Sequence, residues 1–170
     1  MEEPSLFLKK ILLFQHNSKG KALDIAMGKG RNSIYLAQQG YEVDGIEISK
    51  ESIEECKKRI EKLHLPITIK ESDLEKMILP ENRYDLIVCF FYLQRDLFPQ
   101  IKKSLKKDGF VVYETFLIDQ HLKHGSPRRV EFCLGHNELL NFFREFRVHF
   151  YEEGEGEDGK ITARIIAEKK

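Results

Sequence analysis

The residues best able to do chemistry together lie around one turn. Asp24-Ile25-Ala26-Met27-Gly28-Lys29-Gly30-Arg31-Asn32-Ser33 reads as the end of a buried strand, a tight glycine turn and the start of a helix. Glycine adopts positive φ and lets ligand atoms approach the backbone. The helix start behind it offers free N–H groups and a positive dipole end. Such a turn can equally connect strand to helix with no ligand. Two distant acids sharpen it. Glu47 closes the second strand, about 20 residues on, where a carboxylate can accept both hydroxyls of a ribose. Asp73 follows the third strand, where an acid can meet an adenine amino group. Each acid alone is an ordinary rim residue; the three features in register point to a nucleoside. The third glycine of a G-x-G-x-x-G fingerprint is Ser33 here, which disfavours a nicotinamide dinucleotide. Asp24, leading the turn, suits a ligand's ammonium better than a phosphate.

These residues need a sheet to bring them together. Lys21–Ala26, Tyr41–Ile48, Pro66–Lys70, Tyr84–Phe91 and Phe110–Phe116 read as strands, and Tyr84–Phe91 is apolar enough to be central and covered on both faces. Helical spacing appears in 4–15, 31–39, 50–63, 96–106 and 137–146, with Gly40 placed as a C′ residue and Ser49 as an N-cap. Residues 16–20 and 107–109 read as turns, and 71–83 as an irregular connection. Residues 117–135 read as one long loop. The alternating segments 147–152 and 160–168 read as a terminal hairpin. Strand–helix alternation predicts an α/β fold, a mostly parallel sheet with helices on both faces. Ligands bind such sheets beyond the carboxyl ends of the strands.

Composition narrows the setting. A chain of 170 residues, 41% hydrophobic and 33% charged, is expected to form one globular domain. Its 28 basic and 28 acidic residues cancel, so no global field favours nucleic acid or an anionic membrane. The three cysteines are dispersed, without C-x-x-C, which fits a reducing, cytoplasmic setting. No apolar run approaches membrane-spanning length.

The motif Asp24-x-Ala26-x-Gly28-x-Gly30, the acid ending the second strand, Asp73 and the terminal hairpin resemble the class I S-adenosylmethionine-dependent methyltransferases. Met27 to Ala37, with Gly40-Tyr41-Glu42-Val43-Asp44-Gly45, is similar to the small bacterial tellurite-resistance-type group, and Gly30-Arg31-Asn32 carries most of that likeness. The resemblance implies a three-layer Rossmann-like sandwich of seven strands, order 3-2-1-4-5-7-6. It implies S-adenosylmethionine as cofactor and S-adenosylhomocysteine as product. Asp24 would orient the methionine ammonium, and Ala26, Met27, Gly28 and Gly30 would line the methionyl and ribose parts. Arg31 or Asn32 would meet the methionine carboxylate, Glu47 the ribose, and Ile48 one adenine face. Asp73 would take the adenine amino group and Leu74 the ring; Cys89 and Phe90 would supply backbone near the sulfonium.

The methyl acceptor is expected from the side of residues 91–95 and 117–135, with Tyr92, Arg95, His121 and Arg128 as candidates. Their cations suit an acidic or oxyanionic small molecule, although thiols and small acids fit equally well. His121-x-x-His124 lacks a third ligand at metal-binding spacing, so no metal is expected. Lys102-Lys103 and Lys106-Lys107 read as a solvated helix face. The alternatives are a non-catalytic cofactor-binding module and an RNA methyltransferase. A monomer or weak homodimer is expected.

Overall fold

The computed structural model describes residues 3–14 and 20–170. Seven strands form one sheet: β1 (Lys21–Ile25), β2 (Glu42–Glu47), β3 (Ile67–Glu71), β4 (Tyr84–Phe90), β5 (Leu105–Phe116), β6 (Arg147–Glu155) and β7 (Ile161–Glu168). Their order is β3-β2-β1-β4-β5-β7-β6. The first five run parallel, and β7 lies antiparallel to both β5 and β6. The parallel sheet and terminal hairpin are those that the alternation predicted, and the strand order is the one that the resemblance implied.

Two apolar layers clamp the sheet. β4 is buried on both faces from Leu86 to Phe90, as a central parallel strand requires. On one face Ile87, Cys89, Val111 and Tyr113 meet α4 (Leu97–Ser104) and α6 (Glu138–Phe142), where Phe98 stacks on Phe142 with centroids 3.8 Å apart. On the other face Ala22, Val88 and Val112 meet α2 (Arg31–Gln38) and the N-terminal segment. Each large aliphatic side chain so buried stabilises the fold by about 1.5–3 kcal/mol. α3 (Lys50–Leu63) lies against the turn after β1 through Ile53 and Cys56. Its N-cap is Ser49, whose hydroxyl accepts from Ser52 N–H.

Four expectations change. The N-terminal helix is a single α-turn, α1 (Leu6–Lys9), followed by 3₁₀ geometry to Leu13; the expected residue 15 and the turn at 16–19 lie outside the described residues. Phe7, Leu8 and Ile11 seat this segment on the core, so three buried side chains rather than a long helical stripe fix it. Lys106 and Lys107 belong to β5, not to the preceding helix, because the strand pairs with Tyr84 at Leu105, bulges through Asp108 at φ 62° and resumes at Phe110. The expected turn at 107–109 is that bulge. The stretch 117–135 is not one loop: it holds α5 (Ile118–His124), ended by Gly125 at φ 65°, and a 3₁₀ turn over 130–132. Leu117 and Leu134 form a β-bridge that closes it. Finally, helix α6 is half the expected length. Among the described residues no helix is long and apolar enough to cross a membrane.

Candidate active site

The turn after β1 is held from both ends. Met27 N–H donates to Ile46 O at 3.0 Å, Gly30 N–H to Met27 O at 3.0 Å, and Ile34 N–H to Gly30 O at 2.8 Å. Ala26, Gly28 and Gly30 all have positive φ, 53°, 56° and 79°. The two glycines serve different ends. A Cβ on Gly28 would meet nothing within 4 Å, so this backbone faces open space. A Cβ on Gly30 would stand 2.3 Å from Cys56 Sγ, so this glycine lets α3 approach. Met27 turns its side chain inward over Gly45, where it packs with Ile53 and Cys56. Its backbone, not its thioether, borders the ligand side.

A cleft of about 190 Å³ opens there, lined by Asp24, Ala26, Met27, Gly28, Lys29, Arg31, Asn32 and Phe90. Seven of these eight were expected at a cofactor site. Asp24 is 2% exposed and accepts from the Ser33 hydroxyl at 2.6 Å. Burial pushes its carboxyl up to about 7, partly opposed by Ser33 and by Arg31. A ligand cation brought against it would relieve that cost, so the cleft floor fits an ammonium. Ser33 thus has a role that its place in the glycine pattern did not reveal.

Glu47 reaches over the turn. One oxygen accepts from Gly28 N–H at 2.8 Å, and the other from Ile48 and Ser49 N–H at 2.9 Å. Ile48 beside it is 62% exposed, an aliphatic face without a core to cover it. Asp73 accepts from Glu75 N–H at 3.0 Å and pairs with Lys76 at 3.1 Å; the backbone bond first, then the lysine, holds its carboxyl below the usual range. Leu74 is buried in the core. Cys89 is buried, its thiol pushed up to about 12 by desolvation.

The expected acceptor candidates divide. Tyr92 donates to Gln94 Oε1 at 2.8 Å, and burial first, then the charges around it, raise its phenol. Arg95 is taken up by the 117–138 region: its guanidinium bonds both Glu138 oxygens at 2.6 and 3.0 Å, and the Glu131 and Cys133 carbonyls at 2.9 and 3.0 Å. Four acceptors occupy the fork that was expected to receive an anion. His121 Nδ1 lies 2.7 Å from Pro127 O, within its own loop, and Arg128 is exposed. Among the described residues no three His, Cys, Asp or Glu side chains could hold a metal ion.

Residues 22–109 match the family described as methyltransferase domain. The chain belongs to that family. Over 142 residues, 81% of this chain and 49% of the other, it is 30% identical to TehB of Haemophilus influenzae, named a probable S-adenosyl-L-methionine-dependent methyltransferase. The crystal structure of that TehB superposes with a TM-score of 0.75 at 25% identity, covering 88% of this chain and 57% of that one. The PH0226 protein of Pyrococcus horikoshii shares the fold, with a TM-score of 0.77 at 17% identity over 96% of this chain and 88% of that one. The chain spans about half the length of the TehB sequence it matches. The tellurite-resistance-type likeness of the Gly30-Arg31-Asn32 run thus agrees with an independent comparison over most of the chain.

Proposed function

We propose that this domain binds S-adenosylmethionine in the cleft after β1 and transfers its methyl group to a small-molecule acceptor by in-line displacement. The observation that carries the reading is the pairing of Gly28 with Glu47 above a buried Asp24. Open backbone, a carboxylate at the end of β2 and an ammonium-seeking floor match the three polar parts of a methionine-bearing nucleoside. The cofactor, when bound, supplies a methyl group already activated on a sulfonium. The protein has only to bind, align and exclude water.

The residues divide that work. Asp24 holds the ammonium, with Ser33 fixing its carboxylate. Gly28 and Gly30 give backbone access, and Arg31 and Asn32 face the carboxylate end. Glu47 has acceptor capacity beyond its present backbone partners and takes the ribose hydroxyls. Ile48 covers one adenine face, Leu74 borders the ring, and Asp73 accepts from the amino group. Phe90 and the Cys89 backbone border the methyl side. Tyr92 completes the rim near Asp73. Arg95 and His121 act through the 117–138 region by holding its shape, and Arg128 stays an acceptor-side cation.

Thermal unfolding tests the reading. S-adenosylhomocysteine should raise the midpoint, and NAD should leave it unchanged. Stabilisation by NAD alone would return the turn to a dinucleotide.

A further inference from the structure

A second cavity of about 280 Å³ lies beside the cofactor cleft, and Arg31 lines both. Its floor belongs to β5 and β7. Glu114 and Arg164 are opposite one another in the antiparallel register, with Thr162 two residues along β7. Ser5 of the N-terminal segment and Phe91 form walls. Ser5 joins the two spaces: its N–H donates to Asn32 Oδ1 at 3.0 Å and its hydroxyl to Glu114 Oε2 at 3.4 Å. Phe90, which lines the cleft, is the parallel register neighbour of Glu114, one strand spacing or roughly 4.8 Å away.

Glu114 is out of keeping with its strand. It is 8% exposed, between Tyr113 and Thr115 in the mostly apolar 110–116 run. Among the described residues its direct partners are two hydroxyls, those of Ser5 and of Thr162 at 3.0 Å, where a carboxylate can accept about four bonds. Desolvation raises its proton affinity, and Arg164 across the register opposes that rise. Among the described residues the Arg164 Nε is itself buried without a hydrogen-bond partner. A buried carboxylate is costly unless it is paired and hydrogen-bonded, and Glu114 retains acceptor capacity that its two hydroxyl partners leave unfilled. The cations Lys10, Arg31, Lys160 and Arg164 on the cavity lining are matched by Glu3, Glu157 and Asp158 besides Glu114, so an anion finds no net attraction there.

We propose that this cavity is the methyl-acceptor site and that Glu114 is its catalytic base, taking the proton of a neutral protic acceptor: an amine, hydroxyl or thiol. The proposal rests on the cofactor reading given above. The electron pair of the acceptor atom X forms the bond to the methyl carbon, the C–S pair returns to sulfur, and the X–H proton passes to a Glu114 oxygen. X–H, methyl sulfonium and carboxylate thus give X–CH₃, thioether and carboxylic acid, and the acid then releases its proton to solvent. A base with raised proton affinity is better matched to such a transfer. A pre-ionised oxyanion needs no base and is repelled by a carboxylate in this low-dielectric setting. The acceptor class implied by Glu114 therefore differs from the oxyanion suggested by the arginines of the opposite rim.

Carbon-13 carboxyl NMR of the full chain loaded with S-adenosylhomocysteine tests this, with the Glu114 signal assigned by its loss in Glu114→Gln. Imidazole, phenol or 2-mercaptoethanol should move that signal, and selenite should not. In transfer assays Glu114→Gln should bind S-adenosylhomocysteine within about twofold of wild type. It should methylate the accepting probe about a hundredfold more slowly, with recovery as pH rises and the probe ionises by itself. Thr162→Val removes a tie to Glu114 but keeps the base, so its pH profile should retain the wild-type shape. A response to selenite alone, full transfer by Glu114→Gln, or the same defect and pH profile in both variants would overturn the assignment. Failure of wild type to bind S-adenosylhomocysteine would instead remove the cofactor reading; binding with a Glu114 signal silent to all three neutral probes removes only the base.

Discussion

Gly30 and Cys56 touch in a way that leaves no room for a side chain: a Cβ on Gly30 would lie 2.3 Å from Cys56 Sγ, at a φ of 79° that disfavours L-residues. The turn after β1 is therefore packed closely against α3. Gly30→Ala should lower stability by about 1–3 kcal/mol from backbone strain alone, with the clash in addition. Cys56→Ala in the same chain should recover part of that loss, since the sulfur is the atom in the way. Denaturant midpoints of the single and double variants measure it.

Gly28 predicts the opposite division. Its φ is also positive, yet nothing stands within 4 Å of an added Cβ. Gly28→Ala should cost the left-handed backbone strain of about 1–2 kcal/mol without the clash, while placing a methyl where the ligand meets the backbone. Affinity for S-adenosylhomocysteine should fall by an order of magnitude or more in a chain that still folds. Parallel unfolding and binding titrations separate the two effects.

Asp24 links pH to both stability and binding. Desolvation raises its carboxyl to about 7 in the fold, against an ordinary value of 3.8. Between those values the folded chain keeps a proton that the unfolded chain has released. Stability from this group is therefore full below about pH 4 and declines as pH rises toward 7, by at most about 1.4 kcal/mol per unit. Asp24→Asn should flatten that decline. Binding runs the other way, because the ligand's ammonium needs the ionised carboxylate. Wild-type affinity for S-adenosylhomocysteine should improve from pH 6 to pH 8, and the Asn variant should show no such gain.

Arg95 is expected to act on order rather than on charge. Its fork serves Glu138 and two carbonyls of the 131–133 stretch at once. Arg95→Ala should expose residues 125–138 to limited proteolysis and speed their amide exchange. Arg95→Lys should rescue poorly, since a point charge cannot match the planar fork. Protection equal to wild type in both variants would mean that the clamp contributes little.

The parts of the fold set by local periodicity were legible in the residues. The mostly parallel sheet follows from β–α alternation and its antiparallel edge from one hairpin, whereas the strand order came from the family resemblance; Ser49 and Gly40 mark helix ends through their own side-chain and backbone preferences. What sequence could not supply was tertiary. The N-terminal stripe looked long because Leu12 and Phe14 continue the apolar spacing, yet only Phe7, Leu8 and Ile11 are buried. α5 lacked a clear apolar period because only Gln120 in it is buried. The signal for Glu114 was a charge in the mostly apolar 110–116 run, and its meaning came from Ser5 and Thr162, 109 and 48 residues away. Arg95 read as a free cation because its partner Glu138 is 43 residues distant.

In the proposed function the turn after β1, crowned by Glu47, holds S-adenosylmethionine. Isothermal titration of S-adenosylhomocysteine into the wild-type chain and into Glu47→Ala tests it most directly. Saturable binding by wild type that weakens at least about tenfold in the variant, as loss of a charge-assisted bond of about 1.5–3 kcal/mol requires, is the predicted result. No binding heat with wild type across temperatures, or equal affinity in the two chains, would contradict it.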